Sequence, residues 1–236
     1  MAAHLHLGRW QEALAGVDAV DAIITDPPYG AKTHDGHNAG EKQMRSATGQ
    51  STRTSIAYEA MAPSEVFKFV DHWAPRCSGW MAVMTSHDLI GVWEQAFRDA
   101  KRMPFAPVPI IQKRPRLLGD GPASWAVYLM VSRPRTRRMA TWGCLPGAYE
   151  APTVKDSGIA GAKPLGLMQA IVRDYSKPGD LVCDPFLGSG TTALAALQEH
   201  RRFIGAEQKG EHYDIAVARL AKGHTPDMFG GGTQSG

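Results

Sequence analysis

The chain has 236 residues, 43% of them hydrophobic, which is enough to bury the core of one α/β domain. No apolar run is long enough to cross a bilayer, and His4, Arg9 and Trp10 interrupt the amino terminus too early for a signal peptide, so a cytoplasmic location without membrane attachment is expected. Cys77, Cys144 and Cys183 have no paired spacing, and His34 and His37 stand without companion cysteines; this argues for a reducing compartment and against a disulfide framework or any metal site.

In chain order, residues 4–7 read as a short strand and 10–15 as a short helix. The apolar run VDAIIT (20–25) reads as a buried strand that delivers Asp26-Pro27-Pro28-Tyr29. Residues 30–57 are polar and rich in Gly, Ser and Thr, which predicts a long mobile loop of the kind compact domains keep for function. Ser64 is placed to cap a helix through residue 73. A strand over 80–85 and an amphipathic helix over 88–102 follow. Residues 105–111 and 125–131 read as an antiparallel pair joined by a basic link over 112–124. Residues 133–162 read as irregular. A helix over 165–175, a strand over 180–183, a helix over 191–199, a strand over 202–206 and a helix over 212–222 complete a single domain over 1–223. The Gly-rich tail, 224–236, is expected to be disordered.

Two motifs carry chemistry. In Asp26-Pro27-Pro28-Tyr29 the prolines fix φ and lack an N–H, which leaves local carbonyls free to accept hydrogen bonds. The carboxylate is a stronger acceptor and the tyrosine ring offers a flat face, so the segment suits a planar group with an exocyclic amine, such as adenine or cytosine. Downstream, LVCDPFLGSGTT (181–192) is a strand ending in Asp184, then a glycine turn, then a helix start. Glycines allow close backbone approach, and helix-start N–H groups favour negative ligand groups. The next strand ends in Glu207, where an acid is placed to accept hydrogen bonds from ribose hydroxyls.

On these residues the chain resembles the S-adenosylmethionine-dependent DNA amino-methyltransferases, in particular the β class, in which the DPPY segment precedes the cofactor loop. The resemblance covers 4–29 and 163–220, including the Lys163-Pro164 pair. It implies a Rossmann-like, seven-stranded α/β methyltransferase sheet in circularly permuted order with one antiparallel strand, the DPPY and cofactor strands lying side by side. It assigns the target amine to Asp26, Pro27, Pro28 and Tyr29. The cofactor S-adenosyl-L-methionine falls to Asp184, Phe186, Gly188, Ser189, Gly190, Thr191, Thr192 and Glu207, with Lys163 and Pro164 completing the wall. Asp26 favours adenine N6, since cytosine-N4 members usually carry Ser at this position. A cytosine-N4 enzyme, and further off an RNA or protein-glutamine methyltransferase, remain alternatives. Where many members carry Gly-Asp after the first strand, this chain has Gly8-Arg9, with Glu12 a weak substitute for the missing acid. Only loops remain for target recognition, which implies a short or relaxed site, as in compact phage or bacterial modification enzymes with or without a restriction partner. A homodimer is compatible with the resemblance.

Charge is unevenly spread. Residues 101–138 hold nine basic residues against one acid, Asp120, in a chain whose net charge is +3. One-signed clusters suit a phosphate backbone. Lys32, Lys113, Arg114, Arg116, Arg133, Arg135, Arg137 and Arg138 are therefore the expected DNA contacts.

Overall fold

The central strands are apolar on both faces, which requires helices above and below them. The computed structural model describes residues 2–30, 60–116, 124–135, 143–151 and 162–223. In chain order these form β1 (Ala3–Leu7), α1 (Trp10–Ala13), β2 (Ala22–Thr25), α2 (Pro63–Trp73), β3 (Met81–Thr85), a 3-10 turn (His87–Leu89), α3 (Ile90–Asp99), β4 (Arg102–Pro104), β5 (Val108–Arg116), β6 (Ser124–Pro134), β7 (Tyr149–Ala151), α4 (Leu165–Tyr175), β8 (Leu181–Asp184), α5 (Thr191–Gln198), β9 (Arg202–Glu207) and α6 (Gly210–Gly223). The expected mobile loop and the tail lie outside the described residues, as does most of the two basic loops.

The strands form one sheet in the order β1-β9-β8-β2-β3-β6-β5-β7, with β4 also paired to β6. The pairs from β1 to β3 are parallel. β6 runs against β3, β4 and β5, and β7 is parallel to β5, so β6 is the one reversed strand. Seven strands have four residues or more; β4 and β7 add three residues each. Strand β7 falls in the stretch read from sequence as irregular.

Successive residues of each central strand enter opposite cores. Ile24, Ala82, Met84 and Val182 pack with Leu167, Ile171, Ala193 and Leu220 of α4, α5 and α6. Ile23, Met81, Val83 and Cys183 pack with Trp10, Phe69, Trp73 and Trp93 of α1, α2 and α3. From β2 the chain moves to β3 on one side; from β8 it moves to β9 on the other. The boundary between β2 and β8 is thus a topological switch point, and ligands of open α/β sheets bind outside the carboxyl ends of the strands at such a point.

Two local expectations are corrected. α2 starts from Ala62, with Pro63 in its first turn and the Glu65 carboxylate accepting the Ala62 N–H at 3.1 Å, so Ser64 is not the cap. The helix expected to reach residue 102 ends at Asp99, where Lys101 takes a left-handed φ of 58°. Arg102 then begins β4 and is only 2% exposed. Its guanidinium donates to the carbonyls of Cys77, Gly79 and Ser132 and to Ser132 Oγ. It is a buried tie between elements, so it leaves the group of basic residues that could reach phosphate.

Candidate active site

The carboxyl edge of the sheet at the switch point opens into a cleft of about 820 Å³. β2 and β8 are in register through Ala22–Val182 and Ile23–Cys183, so their terminal acids emerge side by side. Asp26, Pro28, Lys163, Asp184, Phe186, Gly188, Ser189, Thr191, Thr192 and Glu207 all line the cleft. Pro27 is buried behind it. Tyr29 packs against the core on the α4–α6 side of the sheet. Pro164 stands at the start of α4, and Gly190 at the start of α5.

Asp184 is 1% exposed. Its Oδ1 accepts the Thr25 hydroxyl at 2.5 Å and the Phe186 N–H at 3.0 Å. Burial pushes its carboxyl up to about 6, with hydrogen bonds from Thr192, Thr25 and Phe186 acting against that shift and the nearby Asp26 adding to it. Phe186 stacks on Phe69, ring centroids 5.8 Å apart, so it packs against the core and faces the cleft at once.

Gly190 adopts φ 77°, and a Cβ there would meet the Ala216 Cβ at 2.9 Å. The glycine therefore serves both the turn and the approach of α6. From α6, Arg219 Nη1 donates to the Ser189 carbonyl, Ser189 Oγ and Thr191 Oγ1 at 2.8, 2.7 and 3.1 Å. The glycine turn is thereby fixed from behind.

Glu207 accepts the Gly188 N–H on Oε2 and the Lys209 N–H on Oε1, each at 2.9 Å. Each oxygen keeps a lone pair for a ligand hydroxyl. Arg9 stands at the start of α1, exposed, and lines the cleft with Gln11 and Glu12.

Asp26 differs from Asp184. Its Oδ2 is paired with Lys163 Nζ, while its buried Oδ1 has no well-aligned hydrogen bond among the described residues. Lys163 Nζ also lies 5.2 Å from the centroid of the Tyr29 ring. The Tyr29 hydroxyl is buried, with no well-aligned hydrogen bond among the described residues, and is pushed well above the usual tyrosine range, first by burial and then by Asp26, with Lys163 acting against that shift. Beyond Tyr29, the Gly30 N–H donates to Ser86 Oγ at 3.1 Å, and the Asp88 carboxylate packs against Gly30 where a side chain would sit.

The expected DNA contacts divide. On β5, Arg116 pairs with Ser124 and Ile111 with Ala126, which places Lys113, Arg114 and Arg116 toward the carboxyl edge, the same edge as the cleft. Arg133 and Arg135 come at the other end of β6, level with Met81 and Arg102, at the opposite edge. Arg133 lies over the Phe105 ring, and Arg135 donates to the Arg102 carbonyl. The antiparallel sense of β6 separates these two from the site. Lys32, Arg137 and Arg138 lie outside the described residues.

Among the described residues no group of three or more His, Cys, Asp or Glu could hold a metal ion, and no helix is long and apolar enough to cross a membrane. Thr25, Ser86 and Arg219 are site residues that sequence reading did not single out. Thr25 left one signal, a hydroxyl ending an otherwise apolar strand.

Residues 132–218 match the N6/N4 DNA methylase family. The type II methyltransferase M.HindIII of Haemophilus influenzae is 48% identical over 69 residues, 29% of this chain and 22% of that protein. The matched stretch is thus about a fifth of that relative's length. The M1.HpyAVI–SAM complex shares the fold with a TM-score of 0.67 and 21% identity, covering 92% of this chain and 98% of that one. The cytosine-N4-specific PvuII DNA methyltransferase does so with a TM-score of 0.64 and 15% identity, covering 93% and 86%.

Proposed function

We propose that the chain, whose residues 132–218 match the N6/N4 DNA methylase family, transfers a methyl group from S-adenosylmethionine to the exocyclic amine of a DNA base, most simply adenine N6. The observation that carries this reading is the Asp26 carboxylate, held by Lys163, on the wall of the cleft that Asp184 and Glu207 also line.

The residues fit the cofactor. A sulfonium and an α-ammonium make it cationic, and Asp184 and Glu207 give the cleft matching acids. Glu207 would accept the ribose hydroxyls, the turn at Gly188–Gly190 would face the methionine end, and Asp184 would oppose the ammonium. S-Adenosylmethionine supplies an already activated methyl group, so no covalent enzyme intermediate is required. The Asp26 carboxylate and the Pro27 carbonyl would accept the two amine N–H bonds. That draws electron density to a nitrogen whose lone pair is delocalised into the ring, and it aligns the lone pair for in-line attack. The base must leave the duplex to reach this pocket, at a cost of about a few kcal/mol of unstacking. Lys113, Arg114 and Arg116, on the same edge of the sheet, would contact phosphates.

Adenine is preferred because amine enzymes of this type with Asp at the head of the motif usually act on adenine. The test is methyl transfer from labelled S-adenosylmethionine to DNA, RNA and protein in parallel. Label in DNA alone is expected; label in RNA or protein alone would overturn the proposal.

A further inference from the structure

Lys163 has contacts that a place in the cofactor wall does not account for. It stands 137 residues from Asp26, yet its ammonium pairs with Asp26 Oδ2 and lies over the Tyr29 ring at 5.2 Å. Its side chain is 17% exposed and that of Asp26 25%, so the pair is largely removed from solvent. We propose that Lys163 is a positioning residue of the target-base pocket: by holding Asp26 Oδ2 it fixes the rotation of the carboxylate that meets the incoming amine. This rests on the proposed transfer to an exocyclic amine and deepens it.

A carboxylate on a free χ2 torsion exchanges its two oxygens readily. A charge-assisted bond to one oxygen removes that freedom and leaves the second in a single place. Here the first oxygen is the one paired with Lys163 and the second is buried. The cation persists: burial works against its charge, but Asp26 and Tyr29 together more than offset this, and Lys163 is held above the usual lysine range. Lys163 also precedes Pro164, which opens α4 with φ −58°, so the backbone beside the ammonium is stiff. Asp184, by contrast, is held by a hydroxyl and a backbone N–H, and no ion pair to it is seen among the described residues.

The test compares wild type, Lys163→Met, Lys163→Arg and Asp26→Asn. Cofactor affinity is read by calorimetry, single-turnover methyl transfer by label, and the Lys163 ammonium by its 15N resonance. In Lys163→Met, cofactor affinity should stay within about twofold while the transfer rate at saturating cofactor falls about 100-fold, the scale of a reacting group displaced by an ångström. Lys163→Arg should recover at least about tenfold of that, since it restores a charged donor. The Lys163 resonance should move in Asp26→Asn. Loss of cofactor affinity with an unchanged saturated rate would overturn the proposal and return Lys163 to the cofactor wall. Unchanged rate and affinity would overturn it as well. If wild type transfers no methyl to DNA, the amine-transfer reading fails by itself. The resonance and the cofactor affinity still decide then: a resonance indifferent to Asp26→Asn, or affinity lost in Lys163→Met, rejects the pairing role.

Discussion

Asp26 and Asp184 close neighbouring parallel strands, each after an apolar run, and their surroundings are opposite. Asp184 is wholly buried, accepts a hydroxyl and an N–H, and is pushed up to about 6 by burial. Asp26 is partly exposed and paired with a lysine. The same position at a strand end therefore yields two electrostatic settings, which suit the two proposed functions. An acid without a cation beside it suits a cationic ligand, and an acid already paired with a cation suits a neutral donor. Environment separates the roles of the two carboxylates, as in other sites that run two acids side by side.

The comparison can be broken in graded steps. Asp26→Ala should lower methyl transfer by about 10³-fold or more while leaving cofactor affinity within about threefold, because it removes an acceptor aimed at the reacting nitrogen; a matching loss in calorimetric affinity would merge the two roles. Asp184→Asn should do the reverse, weakening cofactor binding by about 10- to 100-fold, the scale of a charge-assisted hydrogen bond. Arg219→Met should cost about tenfold in cofactor affinity, since Ser189 and Thr191 would lose the donor that fixes the turn.

A pH series sharpens the same contrast. Asp184 ionises near 6, so cofactor affinity should fall as pH drops below about 6, and binding at that pH should release protons. The sign for stability is opposite. The folded-state value lies above the ordinary 3.8, so the folded protein retains a proton the unfolded chain has lost, and this group's contribution to stability declines as pH rises from about 4 to about 6. Thr25→Val gives the smallest effect. It removes one hydrogen bond to the ionised Asp184, which should weaken cofactor binding about fivefold and move the pH midpoint upward. A midpoint that does not move would disconnect Thr25 from the titration.

Much of this site could be read locally. Apolar runs ending in acid mark β2, β8 and β9, and glycines mark the turn between β8 and α5, because these signals lie within a dozen residues. What joins the strand ends could not be read that way. Thr25 meets Asp184 across 159 positions and Lys163 meets Asp26 across 137, so only the sheet register and the start of α4 bring them together. Charge counting misjudged Arg102, since a run of basic residues does not distinguish a buried guanidinium that binds carbonyls from one in solvent. It also grouped Lys113 with Arg133, which the reversal of β6 sends to opposite edges. Strands β4 and β7 have three residues each, too few for a period to appear.

The central claim is that Asp26 receives the exocyclic amine of a DNA base. Its most direct test is mass spectrometry of nucleosides from unmethylated DNA treated with S-adenosylmethionine and either the wild-type chain or Asp26→Ala. The account predicts N6-methyladenine that disappears in the variant. N4-methylcytosine lost in the same way would keep the role of Asp26 and replace adenine by cytosine. Methylated base that persists in Asp26→Ala would contradict the account.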